Sequence, residues 1–199
     1  DKGDQMNEQR AIDFVDAEFR FGDDEKRTLE GYASVFNIKT NLGRFDEVIE
    51  PGTFTRALAE GQDVRALIDH DSGRIIGRTK NNTLELREDS RGLHTKINLP
   101  DTQDSRDLAT LISIGTLDAM SFGFTVKGDR WEKHEGRNTR YISDVDLMDV
   151  SIVSFPAYES TEIALRSMPE DLDDDDLRRR RFQVMIHDLR KNSWKISEL

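Results

Sequence analysis

The sequence predicts a mainly β protein with flanking helices (α+β), its strands forming a barrel or a strongly bent sheet. Short segments of alternating polar and apolar residues recur along most of the chain. Only two amphipathic helical segments interrupt them within the strand-rich region. These helices do not alternate regularly with strands, which argues against a doubly wound α/β fold.

The elements follow in order. Ile12 to Phe21 alternates, with Val15, Ala17, Phe19 and Phe21 on one face, and Gly22-Asp23-Asp24 reads as a turn. Leu29 to Phe36 and Phe45 to Ile49 are the next strands. Pro51-Gly52-Thr53 opens a short helix, Phe54 to Glu60, closed by Gly61. Val64 to His70 is a strand ending in the polar turn Asp71-Ser72-Gly73. Ile75 to Arg78, Thr83 to Arg87 and Leu93 to Leu99 continue the series. Asp104 to Ile114 is the clearest helix: Leu108, Leu111 and Ile112 share one side and Gly115 follows its end. Ala119 to Lys127 is a strand, followed by a charged hairpin around Gly128 and Gly136. Arg140 to Phe155 is a long strand region ended by Pro156, and Glu162 to Leu165 is a last short strand.

Composition narrows the function classes. The 199 residues suit one domain, or one domain with an extension. With 29 basic and 40 acidic residues the net charge is −11, which disfavours nucleic-acid binding by bulk charge. The absence of cysteine excludes disulfides and thiolate chemistry. No apolar run approaches the roughly 18–20 residues of a membrane span, and no signal peptide is visible. These exclusions leave a soluble protein of an intracellular kind. Residues 1–11 read as a tag remnant and N-terminal leader, with Met6 a native start, and 12–166 as the folded domain. Residues 167–199 read as a charged tail, with an acidic block from Glu170 to Asp176, a basic block from Arg178 to Arg181, and an amphipathic helix over Leu177 to Leu189.

Four histidines are the candidate proton shuttles. His134 falls in the charged hairpin, His187 in the tail helix and His94 on the polar face of a strand; all three read as solvated. His70 stands at a strand end, where sites are commonly built, although a lone histidine there also suits a structural role. Ala119-Met120-Ser121-Phe122-Gly123 imitates the G-x-S-x-G elbow, which needs a strand before the serine and a helix after it. Here the order is reversed, so an α/β-hydrolase is disfavoured. Alternation nevertheless turns Ser121 away from the apolar face of Met120, Phe122, Phe124 and Val126. Gly123 leaves a notch on the same face as Ser121. The alternative is an ordinary surface serine.

From Val145 to Phe155 one face holds Val145, Leu147, Asp149, Ser151, Val153 and Phe155. The other holds Asp146, Met148, Val150, Ile152 and Ser154. Both faces are largely apolar, so the strand is buried on both sides, where an ionised aspartate needs a partner. Asp149 paired with a histidine would orient the imidazole as in a Ser-His-Asp triad; paired with backbone N–H groups it would be structural. Asp146, on the opposite face, and Asp144 are weaker rivals. Metal chemistry has less support. Asp171, Asp173 and Asp175 imitate an EF-hand start, but Asp176 replaces its glycine and Phe182 its glutamate. In Asp69-His70-Asp71, neighbouring strand residues point to opposite faces. No P-loop or G-x-G-x-x-G is present, so no nucleotide cofactor is expected.

Eight short motifs occur in order: Leu29-Glu30-Gly31-Tyr32-Ala33-Ser34-Val35-Phe36-Asn37; Phe45-Asp46-Glu47-Val48-Ile49-Glu50-Pro51-Gly52-Thr53-Phe54; Ile68-Asp69-His70-Asp71; Ile76-Gly77-Arg78-Thr79; Gly92-Leu93; Leu99-Pro100-Asp101-Thr102; Met120-Ser121-Phe122-Gly123-Phe124; and Asp149-Val150-Ser151-Ile152-Val153-Ser154-Phe155-Pro156-Ala157-Tyr158. Together they resemble the prohead (capsid maturation) protease family of tailed phages, over about Leu29 to Arg166. The resemblance implies a serine endopeptidase related to the herpesvirus assemblins, with a mostly antiparallel β-barrel surrounded by a few helices. It implies His70 as general base, Ser121 as nucleophile and Asp149 as third triad member, at a position where many relatives carry glutamate and assemblins histidine. It places the enzyme inside the prohead, in the bacterial host cytoplasm. There it would cut scaffold, or the scaffold-like segment of the major capsid protein, and itself. A homodimer is suggested by the assemblins; no cofactor, metal, nucleic acid or membrane is implied. The order His, Ser, acid differs from both the chymotrypsin and the α/β-hydrolase orders. The loop Pro156-Ala157-Tyr158 is a candidate source of oxyanion donors, with Pro156 itself lacking an N–H. Two alternatives stand beside this reading: a catalytically inactive capsid-assembly scaffold or chaperone retaining the barrel, and a serine hydrolase of small esters.

Overall fold

A computed structural model describes residues 7–13, 18–21, 27–134 and 136–154. The turn at 22–24, the strand at 162–165, the loop at 156–158 and the tail helix at 177–189 lie outside the described residues.

The described chain is mainly β. Its strands are β1 (Glu8–Asp13), β2 (Glu18–Phe21), β3 (Arg27–Val35), β4 (Thr40–Asn41), β5 (Asp46–Ile49), β6 (Arg65–Ile68), β7 (Asp71–Arg78), β8 (Leu84–Glu88), β9 (Gly92–Asn98), β10 (Ala119–His134) and β11 (Arg137–Val153). Two helices flank them, α1 (Thr55–Ala59) and α2 (Gln103–Ser113). The strands form two sheets instead of one closed barrel. The larger runs β1-β10-β11-β5-β4, with β6 on β11 and β7 on β6; the smaller runs β2-β3-β9-β8. Alternation reports that a strand has a buried face, not whether its sheet closes, so the barrel expectation gives way to two sheets over a shared core.

Several boundaries differ from expectation. Within the strand expected over 12–21, residues 12–13 belong to β1 of the larger sheet and 18–21 to β2 of the smaller. β1 begins at Glu8, so residues 8–11 take part in the larger sheet. The charged segment after Lys127 is strand, because β10 continues to His134 with Gly128 at an irregularity in the ladder. Cross-strand partners accommodate its charges. Arg130 sits 4.0 Å over the Tyr141 ring, and Arg140 Nε donates to Asp129 Oδ2 at 2.6 Å.

The core lies between the sheets. Phe54, Phe122 and Phe124 are fully buried, with Phe54 edge-on to Phe122 at 5.5 Å and Phe122 stacked on Phe124 at 4.7 Å. Ala66, Ile76, Val150 and Ile152 of the larger sheet join Leu29, Leu84, Leu93 and Ile97 of the smaller in the same cluster. The Pro51-Gly52-Thr53-Phe54 segment is held by Glu88 of β8, whose carboxylate accepts from Gly52 N at 2.5 Å and Phe54 N at 3.0 Å. α2 is capped by Thr102, whose Oγ1 accepts from Ser105 N at 3.3 Å, and buries Leu108 and Ala109.

One end of the buried layer is ionic. Arg10 of β1 pairs with Glu8 at 2.6 Å and with both oxygens of Glu47, while Arg140 pairs with Glu8 at 3.0 Å. All four side chains are at most 7% exposed. Two guanidiniums against two carboxylates leave no buried charge uncompensated, as such a site requires. The cluster ties β1 to β5, which flank β10 and β11, and anchors both to Arg140 of β11.

Candidate active site

The site lies on the face of the larger sheet opposite the core. Antiparallel pairing sets Ser121 of β10 directly across from Ser151 of β11 on one side and Ala11 of β1 on the other. Phe122 and Met120, its chain neighbours, point into the core. Ser121 is fully buried, so it is not the ordinary surface serine that its strand alone allows.

Asp149 shares the face of Ser151 by regular alternation, and a β-bulge just before it turns Leu147 to the opposite face. Gly123 pairs with Asp149, but the next residue, Phe124, pairs with Leu147, leaving Met148 as the extra residue. Val145 and Leu147 therefore join Val150 and Ile152 in the core, and Met148 is 39% exposed. This corrects the regular two-face reading, which grouped Val145 and Leu147 with Asp149. The notch at Gly123 is also filled: a Cβ there would collide with Asp149 Oδ2, so the missing side chain makes room for the carboxylate.

His70 comes from a tight turn, not from a strand end. β6 and β7 are antiparallel, with Ile68 opposite Asp71, and the two residues between them have φ of 50° (Asp69) and 56° (His70). Positive φ at both central positions is the type I′ hairpin geometry. Asp and His tolerate the left-handed region better than most residues, at some cost. Long-range bonds hold the turn. Asp69 N donates to Ile152 O at 2.9 Å, and Asp69 Oδ1 accepts from Ser154 N at 2.7 Å and Ser154 Oγ at 3.0 Å. The polar residues Asp71, Ser72 and Gly73, expected to form the turn, begin β7 instead.

This turn extends His70 over β11. His70 Nδ1 lies 2.6 Å from Asp149 Oδ1, and His70 Nε2 lies 2.7 Å from Ser121 Oγ. A carboxylate only accepts, so Nδ1 carries the proton and Nε2 is left to accept the Ser121 hydroxyl proton. The His70 and Asp149 side chains are 12% and 14% exposed. The structure thus brings the three sequence-predicted residues into one hydrogen-bonded row.

The rivals stand elsewhere. Asp146 accepts from Arg56 Nη2 at 2.7 Å and Gln62 Nε2 at 2.8 Å, and Lys127 Nζ lies 3.0 Å away. Partial burial pushes its pKa up, but the bonds from Arg56, Lys127 and Gln62 outweigh this and hold it at about 2. Asp144 receives Arg56 Nε at 3.0 Å. His94 is not solvated as expected: it is buried in the smaller sheet, edge-on to Tyr32 at 5.2 Å and 3.1 Å from Glu30, and burial lowers its pKa. The His134 side chain and His187 lie outside the described residues. Among the described residues, no group of three or more His, Cys, Asp or Glu side chains is placed to hold a metal.

Sequence reasoning missed Ser151, Asp69 and the bulge at Met148. Ser151 was visible two residues after Asp149 on one strand face, yet its relation to Ser121 depends on the pairing of β10 with β11. Asp69 and Ser154 are brought together only by the parallel alignment of β6 on β11.

Comparison with known proteins gives three likenesses. The profile of a family described as Caudovirus prohead serine protease matches residues 14–173. The prohead protease of Enterobacteria phage HK97 is 33% identical over 160 residues, covering 78% of this chain and 67% of that protein. The solved structure of the bacteriophage T4 capsid assembly protease, gp21, matches with a TM-score of 0.47 at 11% identity, covering 76% of this chain and 97% of that one.

Proposed function

The chain belongs to the caudovirus prohead serine protease family, and on that premise we propose that it cleaves peptide bonds with Ser121 as nucleophile, His70 as general base and Asp149 as the group that orients His70. The observation that carries this reading is the unbroken row Asp149–His70–Ser121, with bonds of 2.6 and 2.7 Å. Of the two serines near His70, Ser121 faces the free Nε2, whereas Ser151 lies by the proton-bearing Nδ1. Only Ser121 can pass its proton to the imidazole.

The steps follow from the geometry. Ser121 Oγ attacks the scissile carbonyl carbon as His70 Nε2 takes its proton. Asp149 stabilises the resulting imidazolium through Nδ1–H and stays ionised. His70 then protonates the departing amine, which breaks the C–N bond and leaves an acyl-Ser121 ester. Water, deprotonated by His70, hydrolyses the ester and restores the serine.

The substrate we infer is scaffold, or the scaffold-like segment of the major capsid protein, together with the protease chain itself. The reaction would take place in the prohead within the host cytoplasm, with a homodimer as the working form. The name of the HK97 relative, a prohead protease, supports the prohead as the place of action. Wild type and Ser121→Ala, each incubated with the capsid protein and read by intact mass, test the reading. Cleavage by wild type alone is expected. Identical behaviour of the two proteins, cleaving or not, overturns the assignment of Ser121; two inactive proteins would favour the scaffold or chaperone alternative.

A further inference from the structure

The row of three omits a fourth polar side chain that touches two of its members. Ser151 is fully buried and stands directly opposite Ser121 in the β10–β11 pair. Its Oγ lies 2.7 Å from Asp149 Oδ1 and 3.2 Å from His70 Nδ1. A hydroxyl has one proton to give. The Nδ1 proton of His70 is already directed at Asp149 Oδ1 at 2.6 Å, and that carboxylate can only accept. The Ser151 proton therefore goes to Asp149 as well, and two donors converge on one carboxylate oxygen.

We propose that Ser151 is a positioning residue of this protease, whose hydroxyl fixes Asp149 Oδ1 against His70 Nδ1 and so holds Nε2 on Ser121. The inference rests on the triad reading above. The physical need is specific. Asp149 follows a bulge, where the ladder is interrupted, and its Oδ2 lies over the bare backbone of Gly123. Rotation about Cβ–Cγ would carry Oδ1 away from the imidazole. A buried hydroxyl from the regular part of the same strand opposes that rotation. Hydrogen bonds to charged groups in such surroundings are among the stronger ones.

A double-mutant cycle in the full chain tests this, with kcat and KM measured on a capsid-protein peptide that the wild type cuts. Ser151→Ala should lower kcat about tenfold to hundredfold and leave KM within about twofold, because the loss falls on the reacting groups and not on peptide binding. Adding Ser151→Ala to Asp149→Ala should change kcat by less than about twofold, since the residue through which Ser151 acts is gone. An unchanged kcat in Ser151→Ala overturns the proposal. So does an equal fall in the Asp149→Ala background, which is what a merely structural serine would give, or a loss confined to KM. Melting temperatures identify any variant that fails to fold. In that case Ser151→Cys, similar in volume and a weak donor, carries the same cycle with the same criteria. Ser121→Ala run in parallel separates the two readings: residual wild-type cleavage there sinks the triad itself, whatever Ser151 does.

Discussion

Gly123 and Asp149 face each other across the β10–β11 pair, and the carboxylate of Asp149 occupies the space that a side chain at 123 would fill. The colliding atom is Oδ2, at the end of a short side chain whose other oxygen is engaged by His70 and Ser151. It can yield only by breaking those bonds. Gly123→Ala should therefore fold, with β10 and β11 still paired, yet lose on the order of 10²-fold or more in kcat. Steady-state kinetics with a thermal melt check this; an alanine variant of near wild-type kcat would show that Asp149 is not held where its role requires.

Asp69 gives a separate handle on His70. It adopts a left-handed conformation, at φ of 50°, and clamps the turn to Ser154 through Oδ1. Asp69→Gly removes the clamp but suits the backbone better, so the two stability effects oppose each other at about 1 kcal/mol each. The melting temperature should move by only a few degrees, while kcat falls at least several-fold because His70 is less well held. A fall in stability without a fall in kcat would make Asp69 structural only.

These two residues also show what was legible in the sequence. His70, Ser121 and Asp149 stand out locally: a histidine by a turn, a serine off the apolar face, an aspartate in an apolar strand. The turn itself was misplaced by a few residues. Asp71-Ser72-Gly73 has turn composition, whereas Asp69-His70 lacks the Asn-Gly signature of a type I′ hairpin. Its conformation is held instead by Ile152 and Ser154, far along the chain. Likewise, alternation marked β11 as buried on both faces, but a single unpaired residue reverses the order of faces from Met148 onward, and no local pattern announces it. Sheet closure was least legible, being a property of pairing between distant strands.

The bulge makes a stability prediction that regular alternation does not. Leu147 is buried in the core and Met148 is 39% exposed, although regular alternation from Val150 and Ile152 would put Met148 in the core and Leu147 on the face of Asp149. Leu147→Ala should destabilise by about 2–4 kcal/mol through lost burial and a cavity. Met148→Ala should cost about 0.5 kcal/mol or less. Denaturant melts of the two variants decide; equal and large losses would mean that Met148 is packed and the bulge is wrongly located.

Asp146 and Asp149 lie three residues apart in β11, and pH separates their roles. Asp146 is bound by Arg56, Lys127 and Gln62, which hold its pKa at about 2, below the ordinary 3.8. A carboxyl group with a depressed folded pKa stabilises the fold above its unfolded value. That contribution declines as pH falls from about 5 towards 2 and is gone below the folded pKa. Its side chain is 33% exposed, so solvent screening keeps the contribution small, about 1 kcal/mol. Asp146→Asn should therefore leave kcat near wild type, reduce stability at neutral pH slightly, and flatten the stability profile between about pH 5 and 2. Asp149→Asn should instead lower kcat by about 10²–10⁴-fold through the wrong imidazole tautomer. Kinetics at neutral pH, paired with urea melts across the acid range, read both effects. Loss of activity in Asp146→Asn with retention in Asp149→Asn would transfer the orienting role to the other carboxylate.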